Sequence, residues 1–412
     1  MRRHRSGGRR QEATKSPPGL EGRQQMPEAV IVAAGRSPIG RAFKGHLVGI
    51  RPDDLAAQVT RKVLELVPQV EPGMIEDLIC GCGLPAGEQG FNLGRVVSIL
   101  AGLNTPGTTV NRYCSSSLQT TRMAAHAIRA GEGDTFVSVG IESVSHFGSG
   151  FADSPDARNP LLLPGNEHGY PDLYIEMGQT AENVAARENV SREEMDEYAA
   201  KSQSAAVKAR DDGFFAREII AVDLPDGEVF SSDDGPRPGT TPEVLATLKP
   251  AFRENGRVTA GNSCPLNDGA AAVVVMSDAK AKELGISPLA RIVSTGVSQL
   301  EPELMGLGPI GASRQALRRA GMSIEDIDVV ELNEAFAAQV IPSARALDVD
   351  PFSPKLNPHG GAIALGHPFG MTGARILCTL LNDLRSLDQT YGLETMCVGG
   401  GQGMAMIVER LS

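Results

Sequence analysis

The feature of this sequence that most constrains its fold is an alternation of short apolar runs with amphipathic helical patterns, found in both halves of the chain. The first series extends from residue 29 to residue 140, and the second from residue 290 to residue 408. Apolar strands that alternate with helices indicate parallel sheets covered by helices. Because the two series have a similar rhythm, we interpret the fold as α/β with an internal duplication.

Each predicted element has the periodicity of its type, and glycine, proline or capping residues mark many of the boundaries. The predicted strands are 29–34, 78–83, 108–110, 135–140, 290–294, 327–332, 395–398 and 404–408. The predicted helices are 53–66, 92–103, 118–128, 191–211, 311–320, one that starts at residue 334, and 376–384. Gly131 is expected to end the third helix, and Ser191 with Glu194 to form a capping box at the start of the fourth.

The middle of the chain differs from both halves because it is rich in Pro, Asp and Gly. We interpret residues 146–267 as an inserted loop domain over the core, where binding loops tend to concentrate. The two core halves are then residues 26–145 and 268–412. Residues 1–25 are predicted to be a disordered basic tail. A targeting segment, or a mis-called start ahead of Met26, are the alternatives for this tail.

The composition excludes several classes of function. The 412 residues have a formal net charge of −11, no Trp and five Tyr, which argues against a nucleic-acid-binding protein. No run approaches the roughly 18 consecutive apolar residues that cross a membrane. The six cysteines lack regular spacing, so we expect no disulfide framework and a reducing, cytoplasmic location.

Cys114 lies in the stretch Asn-Arg-Tyr-Cys-Ser-Ser-Ser at residues 111–117, between a predicted strand and a predicted helix. At that place it lies in the positive field of the helix N-terminus, where free backbone N–H groups can stabilise a thiolate. The small serines would let another segment or a ligand approach closely. Taken alone, a buried structural cysteine would be the better interpretation.

Three further polar or glycine-rich stretches follow predicted strands, at the ends where active sites of α/β proteins form. They are Asn-Glu-Ala-Phe at 333–336, Asn-Pro-His-Gly-Gly-Ala-Ile-Ala-Leu-Gly-His-Pro at 357–368, and Cys-Val-Gly-Gly-Gly at 397–401. With Cys114 they supply two cysteines and a rigidly presented histidine, His367. These residue types suit thioester chemistry, in which one thiolate is the nucleophile, a second thiol carries a proton and an imidazole activates.

Zinc could use the same residue types, but positions 114, 367 and 397 contain no short ligand pair. Cys80 and Cys82 form a C-x-C within a predicted strand and have no second pair nearby, so we interpret them as small core residues. We therefore expect no metal site.

With these stretches and three others, the chain resembles the thiolase family, the enzymes that make or cleave 3-ketoacyl-CoA. The others are Met-Gly-x-Thr-Ala-Glu-Asn at 177–183, Val-Thr-Ala-Gly-Asn-Ser at 258–263 and Asn-Asp-Gly at 267–269. The resemblance covers about residues 28–411. It implies a duplicated thiolase-type α/β core, with two βαβαβ-like halves of mixed sheets and helices, and an inserted loop domain. It also implies CoA and 3-ketoacyl-CoA as substrates, no bound organic cofactor, and a homodimer or homotetramer.

The family pattern implies catalytic roles for five residues. Cys114 would be the acylated nucleophile, activated by His367, and Cys397 would carry the proton to and from the α-carbon or from the CoA thiol. His367 and a water held by Asn333 would form one oxyanion hole. The backbone N–H groups of Cys114 and Gly399 would form the other.

Five more residues are expected to contact the substrate. They are Met177, Arg237, Ser263, Cys264 and Phe336. Arg237 matches a position that contacts the adenine of CoA, and a guanidinium can stack on such a ring. Cys264 stands where the family usually has a serine near the pantetheine, which is a mild departure.

Residue 176 bears on the length of the acyl chain. Short-chain family members carry His-Met-Gly where this chain has Glu176-Met177-Gly178. A carboxylate there would repel a short ketoacyl oxygen unless it is turned away or paired, and segment 165–175 could shape a longer pocket. We therefore favour a degradative enzyme of fatty-acid β-oxidation, acting on medium or long chains, over an acetyl-CoA C-acetyltransferase. The alternative is that Glu176 faces solvent and the specificity is broad.

Two other functions predict different residues at these positions. A ketoacyl synthase has a related fold but carries His or Asn where this chain has Cys397. A non-catalytic thiolase-like protein that binds lipid or acyl-CoA would be suggested by the loss of Cys114, His367 or Cys397, and all three are present.

Overall fold

The computed structural model describes residues 27–147 and 158–412. Its strands are β1 (Ala29–Arg36), β2 (Gly40–Arg41), β3 (Asp77–Cys82), β4 (Gly107–Val110), β5 (Thr135–Ser143), β6 (Val222–Asp223), β7 (Val229–Phe230), β8 (Asn267–Ser277), β9 (Ala290–Gln299), β10 (Val329–Leu332), β11 (Tyr391–Val398) and β12 (Gln402–Arg410). Its α-helices are α1 (Pro52–Leu64), α2 (Leu93–Leu100), α3 (Ser116–Ala130), α4 (Val144–Phe147), α5 (Met177–Arg187), α6 (Arg192–Asp211), α7 (Pro242–Ala246), α8 (Asp278–Glu283), α9 (Gly308–Ala320), α10 (Ala337–Ala346), α11 (Ala362–Leu365) and α12 (Thr372–Ser386). The predicted tail at residues 1–25 lies outside the described residues.

Ten of the strands form one large mixed sheet, and β6 pairs with β7 in a separate antiparallel two-stranded sheet. The order of the large sheet is β10-β11-β12-β9-β1-β8-β5-β3-β4, with β2 paired to β8. Strand β3 is parallel to β4 and β5, and β10 is parallel to β11. The other pairs are antiparallel: β8 with β1, β2 and β5, β9 with β1 and β12, and β11 with β12.

The prediction of parallel sheets is therefore wrong for the middle of the sheet, whereas the mixed sheets implied by the family resemblance are confirmed. The main reason is β8, a fully buried strand that sequence analysis did not predict and that runs antiparallel between β1 and β5. In addition, only three residues connect β11 to β12, too few for the crossover that a parallel pair requires. The predicted divisions after residues 145 and 267 stay predictions, although β8 lies among strands of the first half.

Helices α3 and α12 contact each other and pack against the central strands β1, β5 and β8. Helix α1 also packs against these three strands, and α9 packs against β9, β11 and β12. Among the described residues the buried apolar side chains form three clusters, one of which contains residues of α3, α12 and the central strands. This packing brings the first turns of two helices from opposite halves of the chain together.

Glycines permit the closest of these approaches. A Cβ on Gly81 of β3 would lie 2.4 Å from the carbonyl carbon of Ser116, and one on Gly373 would lie 2.4 Å from the amide nitrogen of Leu118. The two helices are also joined directly, because the amide of Ala374 donates to Ser117 Oγ at 2.8 Å. The expectation that the small serines allow close approach is confirmed.

The predicted caps of α3 and α6 are present, whereas α9 and α12 begin three and four residues earlier than predicted and α2 ends three residues earlier. Gly131 adopts the left-handed conformation at the end of α3, with φ 76°. Ser191 Oγ accepts the amide of Glu194 at 3.1 Å, as predicted, whereas the Glu194 carboxylate binds Arg345. Helix α10 begins at residue 337, three residues later than predicted. None of the helices in the described part of the chain has the length and apolar character that crossing a membrane requires.

A buried ion cluster ties residues 218 and 233 to the core. The guanidinium of Arg36, at the end of β1, donates to Glu218 at 2.7 Å and to both carboxylate oxygens of Asp233 at 2.8 and 3.0 Å. Arg36 is fully buried, and Asp233 also accepts the amide of Ile39. Because the cation compensates two carboxylates away from water, its removal would leave buried negative charge.

We expect Arg36→Met to lower the free energy of unfolding by about 3–5 kcal/mol, since it leaves two buried carboxylates without a cation. Urea denaturation followed by circular dichroism measures the loss. The matched control is Lys208→Met, whose partner Asp212 is exposed, so its loss should stay below about 1 kcal/mol. Equal losses in the two variants would contradict the importance of the buried cluster.

Candidate active site

Cys114 lies in a single tight turn, Tyr113–Ser115, that connects β4 to α3. Tyr113 has a left-handed backbone, with φ 44°. Ser116 Oγ holds the turn, because it accepts the amide of Arg112 at 2.9 Å and donates to the carbonyl of Tyr113 at 2.7 Å. The predicted position of Cys114, between a strand and the first turn of a helix, is confirmed.

The thiol of Cys114 is neutral in this environment. Burial is the largest effect and raises the pKa of Cys114 to about 12. The backbone N–H groups of Gly399 and of Cys114 itself lower this pKa, and the negative charge of Glu142 raises it. The N–H groups at the turn therefore point where a charge on the sulfur would develop, but they do not outweigh the desolvation. The prediction that these N–H groups stabilise a thiolate at rest is therefore not supported, because burial keeps the thiol protonated.

The orientation of His367 follows from its hydrogen bonds. Its Nδ1 lies 2.6 Å from Thr372 Oγ1, and that hydroxyl donates its own proton to the carbonyl of Pro368 at 2.7 Å. Thr372 can therefore only accept from the ring, so Nδ1 carries the imidazole proton and Nε2 is the basic nitrogen. The backbone amide of His367 is held by Asn267 Oδ1 at 3.0 Å.

His367 is buried and neutral. Burial, followed by the positive charge of Arg375, lowers the pKa of His367 to about 3. Asn333 Nδ2 lies 3.4 Å from His367 Nε2. Asn333 Oδ1 is buried and has no hydrogen-bond partner among the described residues, which is what a carbonyl that orients a water or substrate requires. The predicted pairing of His367 with Asn333 is present.

Cys397 and Gly399 come from the end of β11 and the turn that follows it. Cys397 is fully buried, and burial raises its pKa well above that of an ordinary thiol. A negative charge developing on Cys114 or Cys264 would raise this pKa further, because both thiols lie close to Cys397. A Cβ on Gly399 would lie 3.4 Å from the Tyr113 ring, so this turn approaches the Cys114 turn closely.

Glu334 fastens the glycine-rich loop that precedes His367. Its carboxylate accepts from the hydroxyls of Tyr198 at 2.9 Å and Ser202 at 2.6 Å. It also accepts from Asn357 Nδ2 at 2.9 Å and from the amide of Ile363 at 3.1 Å. This network joins α6, the end of β10 and the loop, so it stabilises the loop that carries His367.

A cavity of about 230 Å³ opens at Cys114. Met177 and Gly399 also line it, and Met177 Sδ lies 3.8 Å from the position a Cβ on Gly399 would take. The wall of the cavity also contains four apolar side chains, those of Leu84, Leu173, Ile175 and Phe369. The cavity is therefore an apolar space next to the nucleophile.

The other predicted substrate residues lie beside this cavity or away from it. Ser263 and Phe336 form a backbone bridge, and the amide of Cys264 donates to the carbonyl of Ala335 at 3.0 Å. Of the described residues, those that line the cavity do not include Arg237, Ser263, Cys264 or Phe336. Arg237 is exposed, and its backbone amide donates to Gln203 Oε1 at 2.9 Å.

Glu176 caps α5 through its backbone and has an exposed side chain. It does not belong to the described residues that line the cavity, although Ile175 and Met177 on either side of it do. The expected repulsion of a ketoacyl oxygen by Glu176 therefore lacks a structural basis. The alternative, in which Glu176 faces solvent, agrees with the structure.

Sequence reasoning missed two residues that position the site. Thr372 determines the proton position on His367, and its place at the start of a helix, five residues after the histidine, was the available signal. Glu142, at the end of β5, accepts the amides of Gly83 at 2.8 Å, Leu84 at 3.2 Å and Gly370 at 2.8 Å. A glutamate that ends a buried strand was the corresponding signal. Cys80 and Cys82 are buried core residues, as predicted.

Comparison with known proteins agrees with this geometry. The thiolase N-terminal domain matches residues 29–279, and the thiolase C-terminal domain matches residues 286–410. The 3-ketoacyl-CoA thiolase of Bacillus subtilis (strain 168) is 44% identical over 399 residues, which cover 93% of this chain and 100% of that protein. The beta-ketoadipyl-CoA thiolase of Escherichia coli is 44% identical over 408 residues, covering 94% and 100%.

A solved structure shares the fold. The crystal structure of the Bacillus anthracis acetyl-CoA acetyltransferase has a TM-score of 0.85 and 39% sequence identity. The match covers 94% of this chain and 99% of that one. The chain therefore belongs to the thiolase family and is an acyltransferase of that family.

Proposed function

We propose that this thiolase cleaves 3-ketoacyl-CoA with CoA to give acyl-CoA and acetyl-CoA, through an acyl-cysteine on Cys114. The observation that supports it best is the tautomer of His367, which leaves Nε2 basic beside Asn333. A neutral thiol and a neutral imidazole form a pair that transfers a proton only when the sulfur attacks.

In the first step Cys114 Sγ bonds to the C3 carbonyl carbon, and its proton moves to His367 Nε2. The tetrahedral alkoxide then collapses, and the bond between C2 and C3 breaks. The electron pair remains on C2, where it takes a proton from the Cys397 thiol to form acetyl-CoA. Cys114 retains the shortened acyl group as a thioester.

In the second step the Cys397 thiolate takes the proton of the incoming CoA thiol. The CoA sulfur attacks the acyl carbon, and the bond to Cys114 breaks to release acyl-CoA. Cys114 recovers its proton from His367, so all three groups return to their starting states. Read backwards, the same steps are a Claisen condensation.

Two groups of donors stabilise the oxygens that become charged. The N–H groups of Cys114 and Gly399 would hold the oxygen of the Cys114 adduct. His367 and a water on Asn333 would hold the thioester oxygen of the enolate. Removing one such donor typically costs about 2.7–4 kcal/mol of barrier.

The inserted segment would hold CoA. Arg237 has an exposed side chain that can meet the adenine. Cys264 lies near Cys114, and its neighbour Ser263 pairs with Phe336 through the backbone. We further propose that the protein needs no bound cofactor, works in the cytoplasm and forms a homodimer or homotetramer.

We propose medium or long acyl chains, as in fatty-acid β-oxidation, over acetoacetyl-CoA alone. Support comes from the apolar cavity and from Leu173 and Ile175 in its wall, which belong to the segment predicted to shape a longer pocket. The exposed Glu176 no longer contributes to this preference. Acetyl-CoA C-acetyltransferase activity remains the second candidate.

The neutral thiol predicts the pH dependence of alkylation. Because the pKa of Cys114 is about 12, the thiolate fraction should rise tenfold per pH unit between pH 7 and pH 10. The rate of iodoacetamide labelling of Cys114, followed by peptide mapping, should rise in parallel, and acyl-CoA should protect the residue. Cys264, the other partly exposed cysteine, is removed in a Cys264→Ser background. A plateau near neutral pH would instead indicate a resting thiolate.

Intact-mass spectrometry should distinguish the roles of the two catalytic cysteines. Cys397→Ala should still form an acyl-enzyme with acyl-CoA but lose proton transfer, with kcat reduced roughly 10²- to 10⁴-fold. Cys114→Ala should form no adduct. Cys378→Ala, a buried cysteine of α12, is the control and should form the adduct and turn over. An acyl adduct on Cys114→Ala would refute the assignment of the nucleophile.

Chain length is tested by kcat/KM for thiolysis of 3-ketoacyl-CoA from C4 to C16. Each methylene buried in the apolar cavity should add about 0.8 kcal/mol until the cavity is filled. The profile of Glu176→Gln should match that of the unaltered protein, because residue 176 faces solvent. A maximum at C4 with a steep fall would make the protein an acetyl-CoA acetyltransferase.

A further inference from the structure

The Cys114 turn and the Gly399 turn come from opposite halves of the chain, and one arginine side chain connects them. Arg112 directly precedes the Cys114 turn, and its Nη1 donates to Gln402 Oε1 at 2.9 Å. Gln402 Nε2 in turn donates to the carbonyl of Gly399 at 3.1 Å. Two consecutive hydrogen bonds therefore join residue 112 to the backbone of residue 399.

The Gly399 turn depends on such contacts because it has no side chains of its own. Residues 399–401 are all glycine, and Gly400 and Gly401 have left-handed backbones, with φ 75° and 76°. Glycine has more backbone freedom than any other residue. One end of the turn is held by the backbone, because the carbonyl of Gly401 accepts the amide of Leu300 at 2.8 Å. The other end, at Gly399, is held by the side chain of Gln402.

Arg112 is itself fixed by helix α3, so it can support the second turn. Its backbone amide donates to Ser116 Oγ at 2.9 Å, and its Nε donates to Gln119 Oε1 at 3.1 Å. The Arg112 side chain is half-buried, which reduces the competition of water for these bonds. A hydrogen bond from a charged guanidinium is also stronger than one between neutral groups.

The distance between the two turns matters because each supplies one N–H group. The N–H groups of Gly399 and of Cys114 both lower the pKa of Cys114, so both approach its sulfur. A donor in such a pair must lie about 2.7–3.1 Å from the oxygen that becomes charged. A displacement of about 1 Å can slow a reaction roughly 10²-fold, so a small shift of the glycine turn would be costly.

We propose, on the basis of the function proposed above, that Arg112 and Gln402 are positioning residues for the N–H donors of Cys114 and Gly399. They hold the two turns at the separation at which both donors reach the oxygen of the Cys114 adduct. This oxygen becomes charged when Cys114 is acylated and again when the acyl group leaves. Neither side chain belongs to the described residues that line the cavity, so both act through the turns.

The test measures how fast saturating acyl-CoA acylates Cys114, by rapid quenching and intact-mass spectrometry. Gln402→Met removes both hydrogen bonds at similar side-chain volume and should slow acylation roughly 10- to 100-fold. The second measurement is exchange of the α-protons of acetyl-CoA into deuterium oxide after acylation is complete. Because exchange uses Cys397 and the other group of donors, its rate should be unchanged.

Gln402→Glu separates positioning of the turn from simple stabilisation of the Arg112 contact. Its carboxylate still accepts from Arg112, but it cannot donate to the Gly399 carbonyl and repels that oxygen. Acylation should therefore be as slow as in Gln402→Met, although the melting temperature is retained. Gln299→Met is the matched control, because Gln299 pairs with Gln402 across the sheet and has an exposed side chain. Both of its rates should equal those of the unaltered protein.

Variants of Arg112 test whether the two side chains act as one unit. Arg112→Met should slow acylation less than Gln402→Met does, because Gln402 keeps its own bond to Gly399. Arg112→Lys, which keeps a charged donor, should recover part of this loss. The double variant of Arg112→Met with Gln402→Met should be no slower than Gln402→Met alone, since contacting residues are not additive.

Three outcomes would overturn the proposal. These are unchanged acylation in Gln402→Met, full acylation in Gln402→Glu, or an equal fall of acylation and α-proton exchange, which would indicate a general loss of structure. Failure of the proposed function is distinguishable, because then the unaltered protein itself would form no acyl-enzyme on Cys114.

Discussion

The packing of α3 against α12 is the contact on which the site depends. One helix follows the Cys114 turn, and the other begins at Thr372, which orients His367. Ser117 accepts the amide of Ala374 directly, so the two first turns share a hydrogen bond. The nucleophile and the base therefore belong to opposite halves of the chain, and their separation is determined by one helix pair.

Both reactive groups of this pair are neutral because the surrounding protein reduces their contact with water. Burial raises the pKa of the Cys114 thiol and lowers that of the His367 imidazole, so the ion pair is disfavoured from both sides. The same environment strengthens the electrostatic interaction of the N–H groups with negative charge on the sulfur or on a bound oxygen. The site thus favours charge that develops during reaction over charge present at rest.

Much of the fold and site could be predicted from sequence, because the glycine-rich motifs follow strands whose apolar character is plain. The relative directions of the strands could not be predicted, because they depend on β8. The alanine-rich first half of this strand has a weak strand signal. The direction of the Glu176 side chain depends on how α5 begins, which local sequence does not specify. Thr372 matters only through its distance to His367, and such a contact becomes visible once α12 is placed.

Gly81 shows how far the constraint on this site extends beyond the residues that react. Any side chain at that position would meet the backbone of Ser116, and the strand is held on both sides by neighbours. Relief would have to come from α3, whose first turn carries Cys114 with it. A substitution at Gly81 would therefore lower activity by displacing the Cys114 turn, so a mutational scan would show an apparently catalytic residue whose effect comes from side-chain volume.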